Sequence, residues 1–217
     1  VGLGKYHFCA LRQNGSLWCW GGNQCGQASG IENSKPITNP SPIKGVESIV
    51  DFAIGTSHTC AITQDGSVYC WGCGDGVLGN GDSTAQPTPQ QVEGVKANRI
   101  TSIEDHVCAS GENEQAWCWG NNYWGQTSIK TILQSTSPLQ VPNLANITEL
   151  TAGHLHSCAK EEQGQAWCWG SNHWGQLGLG HNKVIDKPQK ISSLNNTKTI
   201  TAGESHTCAI QQDGSID

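Results

Sequence analysis

A unit of about fifty residues recurs along this chain, and repetition at such a period constrains a fold more tightly than any local propensity. Cysteines at positions 9, 60, 108, 158 and 208 are separated by 51, 48, 50 and 50 residues. Each is preceded two positions earlier by histidine (His7, His58, His106, His156 and His206) and followed by alanine. Ten residues beyond each of the first four lies a second cysteine inside WCWG or YCWG: Cys19, Cys70, Cys118 and Cys168. The nonapeptides CWGNNYWGQ (118–126) and CWGSNHWGQ (168–176) are therefore ends of repeat units, not freestanding sites. The period divides the 217 residues into units of approximately 1–51, 52–99, 100–149, 150–199 and a partial 200–217.

Within a unit, HTCAITQDGSVYCWG reads as a hairpin, with two short runs of β-branched and aromatic residues around Asp65-Gly66. Asn14-Gly15, Gln163-Gly164 and Asp213-Gly214 stand at the same place, whereas unit three has Asn113-Glu114 and lacks the glycine suited to a left-handed tip. A proline-containing stretch follows each hairpin, and a β-prone segment such as ITELTAG leads into the next. Four short strands per unit, with almost no helix, is the pattern of a propeller blade.

These residues resemble the repeat of the regulator of chromosome condensation family. The likeness lies in the Gly-x-x-His segment, the Asp-Gly turn, the Trp-Gly and the Asn-x-x-Gly-Gln-Leu-Gly ending, seen in TAGESHTCAIQQDGSI and WCWGSNHWGQLGLG. The resemblance covers essentially the whole chain and implies an all-β, seven-bladed propeller. Seven units at this period need roughly 350 residues. The expectation is thus four complete blades and the opening of a fifth, with further blades elsewhere or another chain covering the ends. The absence of Met is what a processed or excised piece of a longer product would show. The plant UV-B photoreceptors of this family use tryptophans in a Gly-Trp-x-x-His type motif. Here the corresponding segments are Gly-Thr-Ser-His and Gly-Glu-Ser-His, so photoreception does not carry over.

A three-residue turn with glycine in the left-handed position sets Arg12 opposite Ser16 and Cys9 opposite Cys19, in a non-hydrogen-bonded pair close enough for a disulfide. The same count pairs Cys60 with Cys70, Cys108 with Cys118 and Cys158 with Cys168. Two other readings stand beside the bridges: small buried apolar residues, or a zinc site using His58, Cys60 and Cys70 that lacks a fourth ligand. Cys25 and Cys73, in the loops after Trp-Gly of neighbouring units, are candidates for a bridge between blades. Cys208 would find its partner at a position 218. Repeated structural disulfides point to an oxidising place: secreted, cell-surface or periplasmic. The sequons at Asn14, Asn146 and Asn195 are compatible glycosylation candidates.

The balance of 12 basic against 18 acidic residues, a net charge of −6 with no basic run, argues against non-specific nucleic-acid binding. No apolar run approaches the roughly 18 residues that span a bilayer. The loop GDGVLGNGDS (74–83), with Asp75, Asn80 and Asp82, fits no full calcium-ligand pattern. No cofactor or metal is expected. Trp18, Trp117 and Trp167, with Trp20, Trp71, Trp119 and Trp169, alternate with the cysteines and read as core on the opposite face of the hairpin. The five histidines read as core residues bonded to backbone.

Catalytic arrangements such as Ser-His-Asp, Cys-His or paired carboxylates do not stand apart from the repeat, so an enzyme is not expected. The loop pairs Tyr123-Trp124 and His173-Trp174 are the candidate partner-binding residues, being aromatics with polar neighbours. Three readings of function follow. The first is a non-enzymatic recognition or scaffold propeller outside the cytoplasm that binds a protein or glycan through inter-blade loops; a secreted bacterial inhibitor of β-lactamases has a similar propeller. The second, implied by the family's namesake, is a guanine-nucleotide exchange factor for a small GTPase, acting as a host-directed effector. The third is a structural subunit of a surface assembly, completed in trans.

Overall fold

The computed structural model describes every residue except 33, 112–114, 130 and 131. No α-helix occurs among the described residues, and the strands group into sheets in strict chain order. Blade one holds β1 (Gly2–Leu3), β2 (His7–Leu11), β3 (Leu17–Gly21) and β4 (Ile37–Pro42). Blade two holds β5 (Ile49–Ile54), β6 (His58–Thr63), β7 (Ser67–Gly72) and β8 (Gln86–Lys96). In blade three the strands are β9 (Arg99–Ile103), β10 (His106–Ser110), β11 (Ala116–Asn121) and β12 (Gln134–Gln140). Blade four comprises β13 (Ile147–Ala152), β14 (His156–Glu161), β15 (Ala166–Gly170) and β16 (Ile185–Lys190). β17 (Thr197–Ala202) and β18 (Thr207–Gln211) pair as a further two-stranded sheet. Every pairing is antiparallel, and the first strands β5, β9, β13 and β17 touch one another in succession as the inner ring of a propeller.

Turn chemistry sets the register. The Arg12 amide donates to the Ser16 carbonyl at 3.0 Å while Gly15 adopts φ 77°, which places Cys9 directly opposite Cys19. Cys60 faces Cys70, Cys108 faces Cys118 and Cys158 faces Cys168 in the same way. All four pairs are disulfides with Cα atoms 4.1–4.2 Å apart. A fifth bridge, Cys25–Cys73, ties the loop after β3 to the loop after β7. The hairpin tip of blade three, Asn113 and Glu114, lies outside the described residues.

Each hairpin has a cysteine face and a tryptophan face, and blades stack one face on the other. Trp71 packs in one buried cluster with Cys9 and Cys19, Trp119 with Cys60 and Cys70, and Trp169 with Cys108 and Cys118. These three indoles are fully buried. The remaining hairpin tryptophans depart from the core expectation: Trp18, Trp20, Trp117 and Trp167 are only half-buried. Two of them are covered locally, Trp18 by the Arg12 guanidinium 3.7 Å above its ring and Trp20 by stacking on Phe8 at 5.9 Å.

Strand alternation gives the propeller two ends. The first-to-second and third-to-fourth strand connections emerge at one, here called the loop end. The hairpin tips and blade-to-blade links emerge at the other, the turn end.

Candidate functional site

The histidines build the seam beneath the loop end. His7 Nε2 meets Thr59 Oγ1 at 2.8 Å, His58 Nε2 meets Ser102 Oγ at 2.9 Å, His106 Nε2 meets Ser157 Oγ at 3.0 Å, and His156 Nε2 meets Thr207 Oγ1 at 3.0 Å. Each contact crosses to the next blade, so the partner is a side-chain hydroxyl and not the backbone group expected from sequence. The hydroxyls continue the chain: Thr59 Oγ1 donates to the Gln27 carbonyl at 2.9 Å, and Ser157 Oγ to the Gln126 carbonyl at 3.0 Å. The same two carbonyls accept the indole N–H of Trp71 at 3.1 Å and of Trp169 at 2.9 Å. Burial lowers the imidazole pKa values to about 4 for His7 and His156 and about 3 for His58 and His106. Neutral rings suit this role, since a buried imidazolium would face only a hydroxyl. His206 is the exception and is exposed.

The seam explains two motifs. A Cβ on Gly55 or Gly153 would lie 2.0 or 2.2 Å from the imidazole three residues on, so Gly-x-x-His is a steric requirement. In Trp-Gly, Gly72 and Gly170 hold φ 115° and 108°, and a side chain there would strike the carbonyl before the histidine at 2.5 and 2.6 Å.

Above the seam, the Asn-x-x-Gly-Gln segment is a lock that faces inward and a tip that faces outward. Asn122 Oδ1 accepts the Thr127 amide at 2.9 Å and its Nδ2 donates to the Ile132 carbonyl at 2.8 Å, while Gln126 Oε1 accepts the Trp124 amide at 2.9 Å. Asn172 and Gln176 repeat the pattern with the Leu177 and Trp174 amides, both at 3.0 Å. All four side chains are buried. The two residues between Asn and Gly are left at the surface: Gln24 and Cys25, Tyr123 and Trp124, His173 and Trp174. Tyr123 is 66% exposed, Trp124 37% and Trp174 82%. The structure brings two predicted pairs together, because Trp124 meets His173 edge to face with centroids 4.7 Å apart.

Other sequence candidates resolve differently. Cys60 and Cys70 are bonded to each other and His58 to Ser102, so the zinc reading fails. In the acidic loop, Asp82 accepts the Thr84 amide at 3.0 Å and Thr84 Oγ1 at 2.8 Å, a local turn contact. Among the described residues no group of three His, Cys, Asp or Glu side chains is placed to hold a metal ion. Asn14, Asn146 and Asn195 all fall at the turn end; Asn14 and Asn195 are exposed and Asn146 is half-buried. Asn14 Oδ1 accepts Ser16 Oγ, its own sequon hydroxyl, at 2.7 Å.

Sequence reasoning missed Glu104 and Asp105, which join β9 to β10 at the loop end. The signal was present: the 48-residue spacing before Cys108 marks a shortened unit whose Gly-x-x connection has become two acidic residues. Glu104 takes φ 53° and its Oε2 lies 3.5 Å from His154 Nε2.

Comparison with known proteins agrees with this architecture. The family model described as RCC1-like domain matches residues 1–216. The human E3 ubiquitin-protein ligase HERC2 is 33% identical over 138 residues, covering 58% of this chain and 3% of that protein. An Arabidopsis thaliana mitochondrial RCC1 domain-containing protein, RUG3, is 30% identical over 149 residues, covering 65% of this chain and 33% of that protein. The chain thus spans a third or less of these relatives. Among solved structures, human WBSCR16 superimposes with a TM-score of 0.84 at 20% identity, covering 97% of this chain and 56% of that one. Yeast RCC1 (Prp20), in complex with Kap60, gives 0.84 at 23% identity, covering 98% and 53%. These two likenesses concern the fold alone. On the strength of the matched model and the blade geometry, the chain belongs to the RCC1-like domain family.

Proposed function

We propose that this chain is a non-enzymatic recognition propeller that works outside the cytoplasm and binds a partner protein through the loop end of blades three and four. The observation that carries the reading is the lock-and-tip arrangement. Buried Asn122 and Gln126 fix the backbone so that Tyr123 and Trp124 are held outward on a rigid base. Aromatic side chains presented this way bind with little loss of conformational freedom. Five disulfides, four of them sealed inside blade seams, favour an oxidising compartment.

Two measurements test the two halves. Native material alkylated before reduction should carry no label on the ten bridged cysteines; labels on the hairpin cysteines would remove the extracellular reading. Cross-linking in the extracellular or periplasmic fraction of the source should capture a protein partner. The Tyr123→Ala/Trp124→Ala variant should lose it, and Gln13→Ala at the turn end should keep it. Equal capture by both variants would overturn the site, and capture of a glycan in place of a protein would change the partner class.

A further inference from the structure

Resting on the recognition reading above, we propose that the patch formed by Tyr123, Trp124 and Leu133 beside Glu104 and Asp105 receives a cationic, Lys- or Arg-bearing peptide segment of the partner.

Blade three sends two connections to the loop end, and the first departs from the repeat. Its first connection carries Glu104-Asp105 where the other sheets carry Gly4, Gly55, Gly153 or Gly203 and two further residues. Its second connection carries the Tyr123-Trp124 tip. One residue joins the two: the Asn121 amide donates to the Asp105 carbonyl at 2.8 Å, and Asn121 Oδ1 accepts the Tyr123 amide at 3.0 Å. Leu133 is tied in through its carbonyl, which accepts the Asn122 amide at 2.8 Å. The next residue, Gln134, donates to the Asp75 carbonyl of blade two. The acidic connection and the aromatic one are therefore neighbours along the backbone at the loop end. Tyr123 is 66% and Leu133 59% exposed although a four-stranded blade stands on either side.

The electrostatics choose the occupant. Partial burial, and then the Glu104 and Asp75 carboxylates, push the Asp105 carboxyl above its usual range. Glu104 has His154 across the blade seam, a partner that is charged only when protonated, and it lines one pocket with Lys5 of blade one and Thr56 of blade two. The blade-two loop 73–85 adds Asp75 and Asp82 and contains no Lys or Arg. An incoming cation gains Coulomb attraction from the acidic pair and lies within reach of an aromatic face. An acidic segment would be repelled.

The test uses the intact, disulfide-bonded chain and fluorescence anisotropy with two short labelled peptides, one of alternating Lys and Ser, one of alternating Glu and Ser. The cationic peptide should bind, more weakly as salt rises, and the acidic one should not. Glu104→Gln/Asp105→Asn should weaken cationic binding about tenfold with the thermal midpoint retained, and Tyr123→Ala should weaken it by a similar factor. Equal affinity for the two peptides, or no effect of the charge-neutral pair, overturns the inference. If Tyr123→Ala/Trp124→Ala abolishes partner capture while the charge-neutral pair leaves it intact, the recognition reading survives and the cationic segment does not. If neither matters, both fall.

Discussion

The seam between blades three and four and the tip above it are built from one short segment, residues 121–126, yet they obey opposite rules. In the seam, the Gln126 carbonyl receives the Ser157 hydroxyl and the Trp169 indole, and His106 reaches the same hydroxyl from its own blade. Blades one and two meet through the same four kinds of group: His7, Thr59, Trp71 and the Gln27 carbonyl. Two residues away, the tip changes from Gln24-Cys25 to Tyr123-Trp124 to His173-Trp174. A position that must satisfy a neighbouring blade repeats; a position that faces solvent is free to be chosen by a partner. Identity at the seam positions therefore marks packing, whereas the exposed tip positions are released from that constraint.

Acid should break the seam and spare the tip. The four buried imidazoles hold pKa values of about 3 to 4 in the folded chain, against an unperturbed 6.5, so the unfolded chain binds more protons. Their contribution is complete above the unfolded value and is lost as pH falls from there through about 4 for His7 and His156 and about 3 for His58 and His106. About 1–2 kcal/mol per histidine should be missing by about pH 5. Asp51 works in the opposite sense, since burial raises its carboxyl and the folded chain takes up that proton first. A urea midpoint that stays flat between neutral pH and about pH 5 would falsify the ladder of neutral histidines.

Next in size is Trp169→Ala, which empties a fully buried site and leaves the Gln126 carbonyl with one donor fewer. The expected loss is about 3–5 kcal/mol by chemical denaturation. Gly153→Ala should cost about 1–3 kcal/mol, because its Cβ would collide with the His156 ring, which is fully buried and held by the Thr207 hydroxyl. Gly175, at φ 75° with nothing within 4 Å of a built Cβ, is the control. Gly175→Ala should show only the backbone penalty of about 1 kcal/mol. Smallest of all, Tyr123→Ala should change stability by no more than about 0.5 kcal/mol. A tyrosine loss as large as the Trp169 loss would erase the distinction between seam and tip.

Much of this was legible before any coordinates. Counting from the Gly15 turn put Cys9 opposite Cys19 because antiparallel register follows directly from turn length, and the four-strand unit followed from its period. The bridge between Cys25 and Cys73 was suggested by equivalent loop positions alone. Tyr123, Trp124, His173 and Trp174 stood out as a pair of aromatic tips, but their meeting did not, since the two tips are fifty residues apart in sequence.

Local sequence determined hairpins, disulfides and the presence of a blade, because each depends on groups within one unit whose spacing is set by backbone geometry. Tertiary structure decided everything that crosses from one blade to the next. It gave His58 the Ser102 hydroxyl, Val107 standing where units two, four and five carry Thr59, Ser157 and Thr207 after histidine. It buried Trp119 and left Trp117 half-covered, though both lie on one face of β11. It also set Glu104 and Asp105 beside the Tyr123 tip. The reason is physical: a repeat specifies its own hydrogen-bond partners, whereas desolvation and charge at a seam or a surface depend on which side chains the next blade happens to supply.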